Sequence, residues 1–367
     1  MPSLVTVFFY ALRLSRVLLL GGVVALALGE IYLRLPFIPQ RLEYIPDEEL
    51  GGVLAPSQRG CYWMGSFSVQ SVPMTVNSDG HRGHETDWSQ PVLLALGDSQ
   101  GFGSGLPDEE VYTAILEASL QEQPGLSHVQ VANASGAGFG PYQQLVMLRR
   151  VLAKRPVAAV LVRVSIEDRS FEPIVGADLE REVAKARRNF AIRRWTRLLP
   201  HMYNRVQLQL PSVRTALNPW FLRPEFLGPA TAEGGEFSPA LGQKMWRDFK
   251  SNWEEMAALA AARGIPAIFF LYDPQGDRAS AGLWEAMQQL SARYSHCHLV
   301  HLGPASFHLD KMGFDKLTLE ERMGDSHANG LQNRYIAEAL LEFLMREQLV
   351  PRSQGPVPPR TEGSRSS

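Results

Sequence analysis

Short apolar runs bounded by glycine, proline or charged residues recur along the chain between residues 91 and 350. The run at 92–96 contains no polar residue, which is typical of a strand buried on both faces of a parallel sheet. We predict four further strands from similar runs, at 128–133, 157–164, 267–272 and 298–302. Together these runs indicate a single sheet inside one domain.

Segments with apolar residues three or four positions apart lie between the predicted strands and indicate amphipathic helices. Val111, Ile115 and Ala118 form such a stripe after the first run, with Asp108 as the predicted N-cap. Four further helices are predicted: through 145–151, from 238, at 279–294 and after 329. The alternation of strands and helices predicts a three-layer α/β/α domain with a five-stranded parallel sheet over residues 91–350.

One segment, residues 170–235, breaks this alternation. Between residues 181 and 197 it carries seven arginines or lysines against one glutamate, with aromatic residues among them. We interpret the segment as a solvated helical insertion. The alternative is a lid, or a surface that contacts anionic lipid or substrate.

Residues 1–34 are predicted to form a membrane anchor. The stretch 17–29 contains no charge, and a helix over 17–33 would be roughly 25 Å long, close to the thickness of a bilayer core. Arg13 and Arg16 precede the stretch and favour a cytoplasmic N-terminus. A cleaved signal peptide is the alternative, although no clear small-x-small cleavage site is present. We therefore expect an uncleaved anchor, with the following domain in the periplasm or on the outer face.

Two further segments complete the predicted organisation. Residues 35–90 are rich in proline and glycine, which indicates an extended connector that packs partly on the domain. Within it, residues 76–83 indicate a tight turn that begins at an asparagine. The polar tail at 351–367 is predicted to be disordered.

Composition argues against several functions. The chain has 367 residues and a net charge of −2, so nothing indicates nucleic-acid binding. Cys61 and Cys297 belong to no C-x-x-C pair; we interpret them as buried small residues, and a disulfide between them stays open. His296, His298 and His301 have no carboxylate or cysteine at the spacing of a known metal site, so we predict no metal and no cofactor.

The chemistry is predicted at Ser99, which follows the first buried run and precedes a helix. Parallel sheets carry their functional sites at this carboxyl edge, where backbone N–H groups are available to an oxyanion. Asp325 and His327 lie on the loop before the last predicted helix. A neutral imidazole can take the proton of a serine hydroxyl, and a carboxylate fixes the tautomer of that imidazole. Gly-Asp-Ser recurs at 324–326, but only the copy at 97–99 stands between a strand and a helix.

The order of these motifs resembles the SGNH (GDSL-type) hydrolase superfamily, in its bacterial membrane-anchored branch. Gly-Asp-Ser at 97–99 is similar to the first block of that family, and 133–138 is similar to its Asn-x-Gly-x-x-Gly loop. Asp325 and His327 are similar to its last block. Two further motifs of the branch are similar to 77–83 and to the pair Glu30 and Arg34. The resemblance spans about 76–345 and implies an SGNH/flavodoxin-like fold.

The resemblance also implies a role for each site residue. Ser99 would attack the ester, and His327 would act first as base and then as acid. Asp325 would orient His327, and the N–H groups of Ser99 and Gly138 would hold the oxyanion.

Two positions depart from the family pattern. The third block supplies an asparagine as an oxyanion donor, whereas this chain has Glu167 followed by Asp168. An ionised glutamate accepts hydrogen bonds and cannot donate one. In the second block, Ser135 stands where many relatives have glycine. We expect Glu167 to turn away and leave a slow enzyme; a protonated, donating Glu167 or a site without turnover are the alternatives.

The implied function is that of a serine esterase or deacetylase acting on small acyl esters of an envelope glycan or lipid. One alternative is a polysaccharide O-acetyltransferase with a membrane acyltransferase partner, and another is a glycan- or lipid-binding module without turnover. Gly97-x-Ser99-x-Gly101 also matches the nucleophile elbow of α/β-hydrolases. That elbow follows several strands, whereas Ser99 follows the first.

Overall fold

The computed structural model describes residues 4–33, 42–62, 72–165, 239–274, 278–309, 313–318 and 327–351, with isolated positions between these ranges. Asp325 and Glu167 lie outside the described residues, as do most of the predicted insertion at 170–235 and all but the first residue of the predicted tail at 351–367. What the sequence predicts for those positions stays a prediction.

A five-stranded parallel sheet forms the centre of the domain, as predicted. Its strands are β5 (Val92–Leu96), β6 (Gln130–Asn133), β7 (Ala159–Ser165), β8 (Ala267–Tyr272) and β9 (Cys297–Leu302). They lie in the order β6-β5-β7-β8-β9, and every neighbouring pair is parallel. This order is the flavodoxin-like one, in which the crevice for a ligand opens at the carboxyl ends of the first and third strands. Here those strands are β5 and β7.

Helices cover both faces of the sheet. The helices whose bounds the structure describes are α1 (Leu4–Leu33), α2 (Ser99–Phe102), α3 (Tyr112–Gln121), α4 (Pro141–Leu152), α5 (Pro239–Ala261), α6 (Arg278–Arg293) and α7 (Gly330–Arg346). The core on one face is formed with α4, α5 and α6, and the core on the other with α3 and α7. Alternate residues of β5 serve the two cores: Leu94 belongs to the first, and Leu93 to the second. The predicted three-layer α/β/α fold is therefore confirmed.

The start of α3 differs from the prediction. A short 3₁₀ turn at Asp108–Glu110 precedes the helix, and the side chain of Asp108 accepts hydrogen bonds from Arg82 and from the backbone of Thr75 instead of capping α3. The buried face of α3 carries Tyr112, Leu116 and Leu120, whereas Ala118 of the predicted stripe is exposed. The larger apolar side chains, each four residues apart, thus decide which face is buried.

Four short strands precede the central sheet. They form two antiparallel pairs: β1 (Tyr44–Asp47) with β2 (Gly51–Leu54), and β3 (Gln58–Tyr62) with β4 (Val72–Val76). The segment predicted as a connector therefore contains regular structure of its own. The turn predicted after β4 is present, because the side chain of Asn77 accepts hydrogen bonds from the backbone N–H groups of Asp79 and His81.

The N-terminal helix α1 differs in character from the helices of the domain. Its segment Arg13–Tyr32 is long and apolar enough to cross a membrane. Leu18, Leu19 and Leu20 are exposed, as expected of side chains that face lipid. Length and composition suit either a membrane anchor or a signal sequence.

Candidate active site

Ser99 begins α2 directly after the tight turn that ends β5. A Cβ on Gly97 would lie 3.2 Å from the Cα of Gly101 and 3.2 Å from the Oγ of Ser135, so this turn leaves little room for a side chain. The carboxylate of Asp98 accepts hydrogen bonds from the N–H groups of Gln100 and Gly101, at 3.0 and 3.1 Å. This cap fixes the first turn of α2 and with it the position of Ser99.

The structure brings Ser99 and His327 into contact. The Nε2 atom of His327 lies 2.8 Å from the Oγ atom of Ser99, although the two residues are 228 positions apart. Both side chains are half-buried, so a substrate could reach them from solvent. In this geometry the imidazole can accept the hydroxyl proton, which is what activates a serine as a nucleophile.

The loop between β6 and α4 runs beside this turn. Its backbone is tied to the first strand by hydrogen bonds from the N–H of Ala134 to the carbonyl of Ala95, at 2.9 Å, and from the N–H of Gly136 to the carbonyl of Gly97, at 3.1 Å. Gly138 has a φ of +81°, which favours glycine over other residues. Within the described residues, the N–H of Gly138 makes no hydrogen bond.

Asn133 and Ser135 hold this loop against the nucleophile turn. The amide of Asn133 donates to the carbonyl of Gly101 and to the hydroxyl of Thr113, and its Oδ1 accepts from the N–H of Ser135. Ser135 is buried, and its Oγ would lie 3.0 Å from a Cβ on Gly101. The serine that departs from the family pattern therefore fills space beside α2.

A buried ion pair lies beneath the nucleophile turn. Nη1 of Arg163 donates to Oδ1 of Asp98 at 2.7 Å, and each side chain is only 1% exposed. The guanidinium also stacks over the ring of Tyr272, 4.1 Å from its centroid. Sequence reasoning missed Arg163. The available signal was one charged residue inside the otherwise apolar run at 157–164.

Arg82, in the turn after β4, supports the loop that follows α2. Its guanidinium donates to the carbonyls of Phe102, Gly103 and Leu106 and pairs with Asp108 at 3.1 Å. Only 5% of the residue is exposed. The arginine of the 77–83 motif thus fixes the chain beyond the nucleophile helix, a function that the turn pattern alone did not indicate.

The remaining site predictions fall in three groups. Asp325 and Glu167 lie outside the described residues, so the structure adds nothing to their predicted roles. Among the described residues, no group of three histidine, cysteine, aspartate or glutamate side chains could hold a metal ion. Cys297 is a buried free thiol whose pKa is raised to about 12 by its burial, so it stays neutral near pH 7.

Comparison with known proteins finds similarity only among solved structures. No protein-family model and no curated protein sequence matches the chain. The structure of TesA is 16% identical and matches over 70% of this chain and 98% of its own, with a TM-score of 0.41. A catalytic mutant of Axe2, an acetylxylan esterase from Geobacillus stearothermophilus, is 14% identical over 69% of this chain and 93% of its own, with a TM-score of 0.41. A putative lipolytic protein of the G-D-S-L family from Desulfitobacterium hafniense is 14% identical over 68% and 98%, with a TM-score of 0.38.

Proposed function

We propose that this chain is a serine esterase or deacetylase of the SGNH type, anchored in a membrane by α1 and acting outside the cytoplasm on acyl esters of an envelope glycan or lipid. The observation that carries the proposal is the contact of 2.8 Å between Ser99 Oγ and His327 Nε2. The contact joins the end of the first parallel strand to the start of the last helix, which is the arrangement that the sequence motifs imply. The position of Ser99 after the first strand also argues against the α/β-hydrolase alternative.

The proposed reaction begins with attack by Ser99 on the ester carbonyl. His327 takes the hydroxyl proton as the C–O bond forms, and the tetrahedral oxyanion accepts hydrogen bonds from the N–H groups of Ser99 and Gly138. The imidazolium then protonates the alcohol that leaves, and an acylated Ser99 remains. Water attacks the acyl group with His327 again as base, which releases the acid and restores the hydroxyl.

Asp325 and Glu167 complete the proposal. Asp325 would accept the Nδ1 proton of His327 and fix the tautomer that leaves Nε2 free to act as base. A carboxylate at Glu167 supplies no third oxyanion donor, so turnover should be slow.

The test combines serine labelling with ester turnover. The full-length protein is treated with a fluorophosphonate probe and assayed with short p-nitrophenyl esters and acetylated glycans. We expect labelling and turnover in the wild type and neither in Ser99→Ala. The matched control is Ser119→Ala, which removes a hydroxyl from α3, outside the site, and should keep both. A wild type without labelling would refute the esterase, and labelling with product only after a sugar acceptor is added would indicate acyl transfer instead.

A further inference from the structure

The residue after the nucleophile makes the second contact between α2 and the histidine loop. Oε1 of Gln100 accepts a hydrogen bond from the backbone N–H of Ala328 at 2.8 Å. Gln100 is 7% exposed and Ala328 4%, so the bond is shielded from water. The orientation of the amide is determined by its partner, because a backbone N–H can only donate.

The two contacts lie side by side. Ser99 meets His327 and Gln100 meets Ala328, so consecutive residues of one segment pair with consecutive residues of the other. The other described hydrogen bonds of the loop connect it to residues 316–318 and to the first turn of α7. Asn329 donates to the carbonyls of Lys316, Leu317 and Thr318 and accepts from the N–H groups of Gln332 and Asn333, and Ala328 forms a bridge with Thr318. Among the described backbone groups of the loop, the link to the nucleophile helix is therefore made through Gln100.

We propose that Gln100 is a positioning residue that sets the imidazole of His327 against the hydroxyl of Ser99. The inference rests on the proposed esterase function, in which the distance between these two groups controls the reaction. Gln100 is itself held in place, because its N–H donates to Asp98 and Asp98 is paired with Arg163. Hydrogen bonds thus connect Arg163 on β7 to α2, and Gln100 on α2 to the loop that carries His327.

Removing the acceptor should displace the loop without unfolding the domain. In Gln100→Leu the N–H of Ala328 loses its partner, and a buried N–H without a partner is unfavourable enough that the loop will move towards water. A displacement of about 1 Å in a catalytic group can cost about 10²-fold in rate. Substrate binding does not involve this bond, so the loss should appear in kcat and not in KM.

The experiment compares three full-length variants with the wild type. We expect Gln100→Leu to lower kcat, and the rate of fluorophosphonate labelling, by about 10- to 100-fold with KM changed by less than about twofold. Gln332→Leu is the matched control: this glutamine is also buried, and its side-chain amide has no hydrogen-bond partner within the described residues. It should keep kcat within about twofold of the wild type.

Gln100→Glu distinguishes positioning from a general structural role. The carboxylate again accepts from Ala328, so most of kcat should return at alkaline pH. Its negative charge beside His327 favours the imidazolium, so the pKa of the base should rise and the acid limb of the pH–rate profile should move to higher pH. The recovery of kcat by a second acceptor at position 100 is the discriminating result, and a Gln100→Glu variant as slow as Gln100→Leu at every pH would contradict positioning.

Hydrogen exchange separates failure of this inference from failure of the proposed function. In the wild type the amide of Ala328 should exchange slowly, and in Gln100→Leu about tenfold faster or more, whether or not the protein hydrolyses esters. Unchanged exchange would overturn the inference. An active wild type whose Gln100→Leu variant keeps full kcat would also overturn it while leaving the esterase intact, whereas a wild type without labelling or turnover would refute only the esterase.

Discussion

At the scale of single residues, the site depends on charges and hydroxyls that are placed by their neighbours. Ser99 and His327 share one proton, so the proposed reaction requires both residues together. The Asp98–Arg163 pair beneath them is fully buried, and each charge is tolerated there because the other is present. Substitutions at these positions should therefore show strong dependence between partners.

Ser99→Ala and His327→Ala should each reduce ester turnover by about 10³-fold or more, and the double variant should be little slower than either. The reason is that the two residues form one nucleophilic unit. Steady-state kinetics on a p-nitrophenyl ester, with thermal melting to confirm folding, provides the measurement. A Ser99→Ala variant with a tenth of the wild-type rate would contradict the assignment of the nucleophile.

Arg163→Met should lower the free energy of unfolding by about 3–5 kcal/mol, because it leaves the carboxylate of Asp98 buried without its partner. The double variant Asp98→Asn, Arg163→Met should recover part of this loss, since asparagine keeps an acceptor for the cap and carries no charge. Urea unfolding of both variants tests this. If Arg163→Met stays within about 1 kcal/mol of the wild type, the pair is not a buried structural charge pair.

Glu167→Asn should raise kcat, with an upper limit of the 10²–10³-fold that one oxyanion donor contributes, whereas Glu167→Ala should change little. The reason is that asparagine can donate a hydrogen bond where an ionised glutamate cannot. Esterase rates across roughly pH 5–9 bracket the ordinary pKa of histidine. A Glu167→Asn variant slower than the wild type at every pH would mean that Glu167 itself contributes to catalysis and would contradict this prediction.

At the scale of elements, the apolar pattern predicted the five strands, and most directly β5 and β8, which are buried on both faces and need no alternation. The predicted stripe on α3 was right at Val111, which is buried, and wrong at Ala118, which is exposed. Two apolar stripes lie side by side on that helix, and the pattern does not say which one meets the sheet. The partners of Arg163 and Gln100 were beyond prediction for a different reason. They lie 65 and 228 residues away along the chain, and only the tertiary fold brings them together.

The turn after β4 contains two histidines whose environments act in opposite directions. Burial lowers the pKa of His81 to about 4, and the hydrogen bond to Glu117 raises the pKa of His84 to about 9. The unfolded chain binds a proton at His81 below about 6.5 whereas the folded chain does not until about 4, so this histidine makes stability fall as the pH decreases between those values. The stabilisation from His84 is complete below about 6.5 and is lost as the pH rises towards 9.

His81→Gln should therefore reduce the loss of thermal stability between pH 7 and pH 5. His84→Gln should leave that acid loss unchanged, and it should reduce the loss of thermal stability as the pH rises towards 9. The effect of His84 should be the smaller of the two, because its side chain is 60% exposed. Melting temperatures across pH 4–9 test both variants. An unchanged acid loss in His81→Gln would mean that other groups carry it.

At the scale of the whole molecule, the sequence indicates a membrane helix followed by a domain with its own cores. The structure contains a helix long and apolar enough to cross a membrane, and it contains the cores of the domain. The orientation of α1 across a membrane depends on the flanking charges and on the cell. The apolar pattern of the sequence and the packing of the domain do not determine it. Fractionation therefore tests the anchoring, and a reporter fusion tests the orientation.

The full-length protein should remain in the membrane pellet after a carbonate wash, because the exposed apolar side chains of α1 need a lipid environment. A reporter fused after Arg360 should be active only outside the cytoplasm. A protein released by carbonate, or a reporter active in the cytoplasm, would contradict the anchored outward-facing topology.

The short distance in sequence between α1 and the domain limits where the site can work. The helix ends at Leu33 and Leu42 is already buried in the domain, so nine peptide steps join the two. Even fully stretched, they reach no more than about 32 Å. In the anchored state Ser99 therefore stays within a thin layer next to the bilayer. The frequency with which Ser99 meets an ester would then depend on the number of ester groups per unit of membrane area and not on their concentration in bulk solution. Esters carried by lipids or by glycans close to the membrane would be the ones within reach.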